Sequence, residues 1–495
     1  MQRWVEEECG TSDFGDQRLD ARFQVVLDEL SQKPSASIPV ACGSWGETNA
    51  AYRFFQNRRV SWQEVLGPHQ TATLRRIGQH EVVLLIQDTT EVEVTRRRQQ
   101  MTGAGPLTDE SRWGFYDHPL LAVTPDRVPL GVAHAEIWAR DLEEFRESQA
   151  AKAHDPRAKA KKHRELPIEE KESCRWLEGY RQSCAVAAQV PGTKIVAISD
   201  SEGDIYECFA EAVPQPGAPK AEWIVRACQD RCVAGAEGQR RYRHLWETVA
   251  ATPVVETMKL EVREQTRLGP SDRKRNQPRT ARTARLTIQA ARVTLRGPQR
   301  PGGRPVDVQV NAILIREIDP PPGEEPVEWL LLTSLPINSR KKIRRVISYY
   351  CCRWQIEIYF KVLKSGCKVE ERYFEDAEHF LPCLALYMVI AWRIMYVTML
   401  GRQCPDMSCA ELFSEEEWKA VYTVVSGDPL PATPPTLQEM LLLIARLGGH
   451  LGRTHDDPPG PKTMWIGMQR MRDLALAWLA FGPATAARRK RKSCV

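Results

Sequence analysis

Three acidic residues stand where a carboxylate can do chemistry. The apolar run EVVLLIQDTT (81–90) ends in Asp88, and KIVAISDSEGD (194–204) carries Asp200 at the matching place. Such runs read as strands buried on both faces, and ligands of open α/β sheets gather at strand C-terminal ends. A lone Asp after a strand is ordinarily a turn residue or a helix cap, so the pair by itself does not define a site. The third acid, Glu357, lies in YYCCRWQIEIYFKVLK (349–364). At ~100° per residue, Tyr350, Arg353, Glu357, Lys361 and Lys364 fall on one helical face within roughly 40° of Glu357. Ile356, Phe360 and Leu363 form the adjoining apolar face. Cations one turn either side of a carboxylate have two readings. They are i,i+4 salt bridges worth ~0.2–0.5 kcal/mol each, or they are phosphate-holding groups around a metal-binding Glu. Asp88, Asp200 and Glu357 suit hard divalent ions such as Mg²⁺, and two ions ~3.5–4 Å apart can activate one phosphodiester oxygen and stabilise another.

Other chemistries find little support. The 14 cysteines include no CxxC pair; Cys351 and Cys352 are adjacent, and Cys228 and Cys232 are four apart. Reduced, mostly buried thiols are expected rather than a zinc module. No GxxxxGK[ST] loop is present, so no nucleotide is expected as partner. The acidic start MQRWVEEECG lacks the apolar segment of a signal peptide, and a reducing, cytoplasmic setting is expected. Leu381–Leu400 has the length of a membrane span but contains Arg393. A central Arg costs roughly 2.5–3.5 kcal/mol on insertion scales, so a core helix is expected and no membrane.

The elements that must position these residues follow from pattern. The chain has 495 residues, 42% hydrophobic and 27% charged, with mean hydropathy −0.43. These values exclude a collagen, a disordered tail and a polytopic membrane protein. The net charge of +5 (69 basic against 64 acidic residues) is mild, so any polyanionic partner must be met by local clusters. Residues 1–75 read as helical. Leu19–Leu30 has helical spacing, and Thr48 is expected to cap a helix through AYRFFQNRRV. There Arg53, Arg58 and Arg59 accompany Tyr52, Phe54 and Phe55, a mixture that suits a duplex backbone and equally a solvated helix edge. Strands are expected at 118–124, 128–138 and 222–227. Residues 228–330 alternate like antiparallel strands around a basic loop, Arg267–Arg285. WLLLTS (329–334) returns to a buried strand, and a helix is expected from Lys341 to Lys364. Residues 371–495 read as helical with a basic tail. The charged stretch 140–171 reads as solvated loop and helix, its role open. His118 and His134 read as packed or hydrogen-bonded histidines.

The sequence resembles the cut-and-paste bacterial DDE transposases of the insertion-sequence-four group, the Tn-five transposase in particular. FGDQRLDARF and ETNAAYRFFQNRRVS are similar to that family's DNA-recognition region. IQDTT and ISDSEGDIY resemble its two Asp strands, and ARLGGHLGRTHDDPPGPKTMWIGMQRM its last segment. The most specific match is Y-(2)-R-(3)-E-(6)-K, met by Tyr350, Arg353, Glu357 and Lys364.

The resemblance implies an RNase H-like α/β core over 76–370 with a β-rich insertion at about 228–330. A helical DNA-recognition domain (1–75) and a helical dimerisation domain (371–495) would flank it. It implies that Asp88, Asp200 and Glu357 hold two Mg²⁺ or Mn²⁺ ions. Trp329 would stack on a flipped base with Arg226 nearby, Tyr350, Arg353 and Lys364 would grip phosphates, and Lys361 would face DNA. The insertion's Arg273, Lys274 and Arg275 would contact DNA as well. A homodimer would pair two transposon ends, cut them through a hairpin intermediate, and join the 3′-OH ends to target DNA. The rivals are a metal-dependent nuclease that cuts without joining, and a DNA-binding inhibitor or domesticated structural protein with no cleavage.

Overall fold

The computed structural model describes residues 2–154, 165–213, 220–234, 243–262, 280–300, 303–453, 456 and 458–483. Five helices open the chain: α1 (Arg3–Cys9), α2 (Gln17–Gln32), α3 (Ile38–Cys42), α4 (Trp45–Phe55) and α5 (Trp62–Ile77). Strands β1 (Val82–Gln87), β2 (Thr90–Glu93), β3 (Gly105–Pro106), β4 (Trp113–Val123) and β5 (Pro129–Trp138) follow. Next come α6 (Leu142–His154), α7 (Cys174–Gln189), β6 (Lys194–Ser199), α8 (Tyr206–Glu211), β7 (Glu222–Arg226), β8 (Cys232–Val233), β9 (Arg243–His244) and α9 (Leu245–Ala250). Four strands β10 (Val254–Val262), β11 (Arg282–Leu295), β12 (Val308–Ile318) and β13 (Glu328–Thr333) precede α10 (Arg340–Cys351) and α11 (Trp354–Lys361). The chain closes with α12 (Ala377–Gln403), α13 (Glu415–Ser426), α14 (Leu437–Leu447) and α15 (Pro461–Phe481). The protein is a mixed α/β structure. It condenses into two compact units, one of Met1–His80, Thr89–Ser148 and Trp354–Val495, the other of Glu81–Asp88 and Gln149–Arg353.

In the first unit, α2, α4 and α5 start on side-chain caps from Asp16, Ser44 and Ser61, which satisfy amides that helix starts leave unpaired. The expected cap Thr48 is corrected to Ser44. Thr48 lies inside α4, and its hydroxyl bonds back to the Ser44 carbonyl at 2.7 Å. Phe54 and Phe55 turn inward, where Phe54 meets Phe14 and Phe23. β4 pairs antiparallel with β2, β3 and β5. The apolar segment around Arg393 forms most of α12, a 27-residue helix largely buried against α5 and β5. Arg393 is accommodated by donating to the Leu412 carbonyl (3.3 Å) and lying over the Trp4 ring. Val397, Trp418, Val421, Leu437, Ile444, Met464 and Met471 make the core where α12 to α15 meet.

Asp117 on β4 is an exception to a satisfied core. It is fully buried, and among the described residues neither carboxylate oxygen has a hydrogen-bond partner. Burial alone pushes it up to about 7 from an ordinary 3.8. The folded state therefore keeps a proton that the unfolded chain has released, and stability falls as pH rises between those values. The stability gain from Asp117→Asn is expected to be larger at pH 8 than at pH 5 by ~2–3 kcal/mol. Thermal or urea unfolding of both proteins at the two pH values measures it. A pH-independent difference would mean that Asp117 is ionised in the fold.

The second unit is built on a mixed sheet in the order β1-β6-β7-β13-β12-β11-β8-β9, with β10 also on β11. β1, β6 and β7 run parallel, and β7 to β13 begins the antiparallel part. Long β11 and β12 form a regular eleven-pair ladder that matches the alternation read from the sequence. Helix α7 packs on β6 and β1, and α10 on β7. All thirteen described cysteines are free, but six are buried, five half-buried and two exposed, so burial is less general than expected.

Candidate functional site

Register brings two of the predicted acids together. β1 and β6 pair with Ile86 opposite Ile198. Carried two residues past the paired stretch, the same offset sets Asp88 against Asp200, each just beyond the C-terminal end of one of two neighbouring parallel strands, which lie ~4.8 Å apart. Each Asp has local work. Asp88 Oδ2 accepts from Arg353 Nη1 at 3.2 Å, both side chains being mostly buried. Asp200 caps the short turn Ser201–Gly203 by accepting from the Glu202 amide at 2.8 Å. The capping reading of a strand-end Asp is therefore realised here, beside an acid pair. Gly203 has to be glycine, because a Cβ there would come within 2.4 Å of Ser199 Oγ and 3.2 Å of the Trp176 ring.

Three more predicted residues belong to the same unit. The Tyr350 ring, buried at the end of α10, lies 6.3 Å from the half-buried Trp329 ring on β13 at 59°. Burial pushes the Tyr350 hydroxyl up, while Arg353 and Arg226 pull it back. Arg226 is exposed at the end of β7, and its Cα partner on β13 is Leu331.

Glu357, Lys361 and Lys364 belong to the other unit. The single helix expected over Lys341–Lys364 is corrected to two. α10 ends at Cys351, and the amides of Cys352 and Arg353 bond back three residues, to Tyr349 and Tyr350. Such tight turns interrupt an α-helix. A π-turn at Val362–Gly366 then displaces the last residues again. The unbroken helix that the expected one-face spacing assumed is therefore absent. Glu357 lies in the first turn of α11. Lys364 Nζ donates to the Glu91 carbonyl (2.6 Å) and pairs with Glu370 (3.3 Å). Lys361 is exposed. Among the described residues, no group of three or more His, Cys, Asp or Glu side chains is gathered to hold a metal ion.

In the N-terminal region Arg53, Arg58 and Arg59 are exposed. Arg59 Nη1 donates to the Gly15 carbonyl at 2.7 Å. With Phe54 and Phe55 in the core and Tyr52 half-buried, the arginines are the most exposed of these side chains. Arg273, Lys274 and Arg275 lie outside the described residues, as do 155–164 of the charged stretch and the basic tail from 484. His118 is buried with Nδ1 2.8 Å from Thr89 Oγ1, a hydrogen-bonded histidine as read.

One supporting residue was not singled out from sequence. Asp204 accepts from the amides of Cys228 and Gln229 (both 2.8 Å) and pairs with Arg231 at 2.7 Å. It thereby ties the loop after Asp200 to the loop after β7. The second Asp of DSEGD was the available signal, but its partners lie more than 20 residues away.

Two regions of the chain match known families. Residues 1–60 match the transposase DNA-binding family, and residues 389–477 match the transposase Tn5 dimerisation domain. Among solved structures, a piggyBac transposase synaptic complex with hairpin DNA overlaps at a TM-score of 0.33 and 10% identity. The overlap covers 81% of this chain and 72% of that one, and it is too loose to carry a fold assignment. One region at the start of the chain is thus similar to transposase DNA-binding domains, and a second, nearer the other end, to the Tn5 transposase dimerisation domain.

Proposed function

We propose that the protein is a cut-and-paste DDE transposase that binds transposon ends as a dimer, cleaves them through a hairpin, and joins the freed 3′-OH ends to target DNA. What supports the chemistry is the parallel pairing of β1 with β6, whose offset, carried two residues on, brings Asp88 against Asp200. A pair of oxygen-only donors fits a hard divalent ion, and Glu357, by its place in the Tyr–Arg–Glu–Lys motif, is assigned as the third carboxylate. When bound, Mg²⁺ or Mn²⁺ would supply Lewis-acid activation of a phosphodiester and of the attacking oxygen. We assign an RNase H-like core to 76–370, end recognition to 1–75 and pairing of protomers to 371–495.

The chain's own residues bind and orient. Arg353 pairs with Asp88 and brings a guanidinium, the group that suits phosphate oxygens, to the same strand end. Arg226, Lys361 and Lys364 add cations, as do Arg53, Arg58 and Arg59 at the recognition region; Arg273, Lys274 and Arg275 are assigned the same role. Trp329 offers a ring face to a displaced base. Incubating the protein with end DNA, Mg²⁺ and a plasmid tests the reading. Joined product is expected, cleavage without joining would indicate a nuclease, and binding without cleavage would indicate a binding protein.

Trp329→Ala is expected to leave the first-strand cut intact. Hairpin yield should fall roughly 5- to 150-fold, the equivalent of ~1–3 kcal/mol of base stacking. Denaturing gels separate the two products. An unchanged hairpin yield would reduce Trp329 to a packing partner of Tyr350.

A further inference from the structure

The exposed face of α10 carries a charge pattern that neither the acid pair nor the recognition region explains. Its sequence, RKKIRRVISYYC, contains five cations and no acid. Arg340, Lys341, Arg344 and Arg345 are exposed, whereas Ile343, Val346, Ile347 and Tyr350 are buried. At 100° per residue the four exposed cations occupy an arc of ~140°. Among the described residues, Arg344 forms an ion pair with Glu256 on β10, and Arg340 acts on the same carboxylate through space. The placement works against the helix itself. Cations in a first turn oppose the helix dipole, and α4, α5, α13 and α14 carry glutamates there. Beside this start runs a groove of about 680 Å³ whose lining includes Arg292, Asn311, Asn338, Ser339 and Arg340. The stripe and the groove belong to the same unit as Asp88, Asp200 and Arg353.

We propose that the exposed face of α10, with the groove at its start, docks the phosphate backbone of target DNA, an inference that rests on the transposase reading. The charge suits a polyanion, and the choice of target over transposon end follows from where the face lies: the region similar to transposase DNA-binding domains, residues 1–60, belongs to the other unit. The outward residues of α10 are Arg, Lys and Ser, which suit phosphate oxygens. Backbone contacts position a duplex without carrying sequence information. A partner with no fixed sequence is what such a surface can hold.

The test uses the full-length protein assembled on pre-cut end DNA. Arg340, Lys341 and Arg345 are replaced together by Gln, and Arg344 is kept so that Glu256 retains its partner. A second variant, Arg340→Lys with Arg345→Lys, preserves the charge. Binding to a random-sequence duplex and joining into plasmid are measured across a salt series. For the triple variant, the slope of log affinity against log salt is expected to flatten by about 2–3, at ~0.9 for each phosphate no longer neutralised. Joining should fall at least tenfold, with end affinity and end cleavage within twofold of wild type, and the charge-preserving variant should behave as wild type. An unchanged slope and joining yield would leave the stripe a solvated helix face. Equal losses of end and random-duplex binding would overturn the assignment to target DNA. If wild-type protein cuts ends but never joins them, the transposase reading fails instead, and the salt slope on random duplex still decides the surface.

Discussion

Asp88→Ala and Asp200→Ala are each expected to lower cleavage of transposon-end DNA by roughly 10³-fold or more, with end binding retained. The size follows from the proposed role. Lewis-acid stabilisation of a phosphodiester transition state supplies several kcal/mol, and each ~1.4 kcal/mol is a tenfold change in rate. Binding should survive because both residues are anions at a site that meets phosphate, and the recognition region lies elsewhere in the sequence. Each alanine also disturbs a local bond, which needs separate control. Asp200→Ala removes the cap on Glu202 N–H, worth ~1 kcal/mol, and Asp88→Ala leaves Arg353 without its partner. Asp200→Asn and Asp88→Asn keep an acceptor oxygen while removing the charge. If the asparagine variants lose cleavage as fully as the alanines, and thermal unfolding stays near wild type, the loss belongs to the carboxylates. Glu357→Ala, inside a helix and not a cap, is expected to give the same loss. Normal cleavage by any one of the three would strike that residue from the site.

Why this much was legible follows from the physics of each element. β1 and β6 announced themselves because a strand buried on both faces has no polar alternation. The antiparallel strands β11 and β12 announced themselves through the opposite pattern, the alternation of polar and apolar residues. The pairing of β1 with β6, whose offset leads Asp88 to Asp200, could not be read, since strand pairing is a property of two segments 112 positions apart. The break at Cys352–Arg353 was hidden because no glycine or proline marks it. Composition there permits a helix, and only the backbone bonding reveals the turn. Thr48 and Ser44 are both good caps by type, and the helix start chose the earlier one. Phe54 and Phe55 look like an aromatic–arginine surface in one dimension, and they become core once α2 supplies Phe23.

A buried network in the first unit gives the largest expected effect on stability. Glu8 on α1 lies 2.5 Å from His69 Nδ1 and pairs with Arg76 Nη1 at 2.6 Å, both partners being on α5. The Val132 amide donates to His69 Nε2 at 3.0 Å. That fixes the tautomer: the ring proton is on Nδ1 and is donated to Glu8, and the imidazole is neutral. Burial alone would push Glu8 up, but His69 and Arg76 overcome it and hold the carboxyl at about 2, against an ordinary 4.5. Burial lowers His69 below its ordinary 6.5, more than Glu8 raises it.

Both shifts point the same way. As pH falls below about 6.5, the unfolded chain protonates the imidazole more readily than the fold does. Below 4.5 it protonates the carboxyl first, so stability drains toward pH 2. Glu8→Ala leaves the buried ends of Arg76 and His69 without their acceptor and is expected to cost about 3–5 kcal/mol. Glu8→Gln keeps the shape and should cost less while removing the charge. Unfolding of wild type and Glu8→Gln at pH 7.5, 5 and 3.5 measures the coupling. The gap between them is expected to narrow at the most acid point, where the wild-type protein loses the charge advantage. A gap of constant size would mean that Glu8 acts through shape alone and not through the ion pair with Arg76.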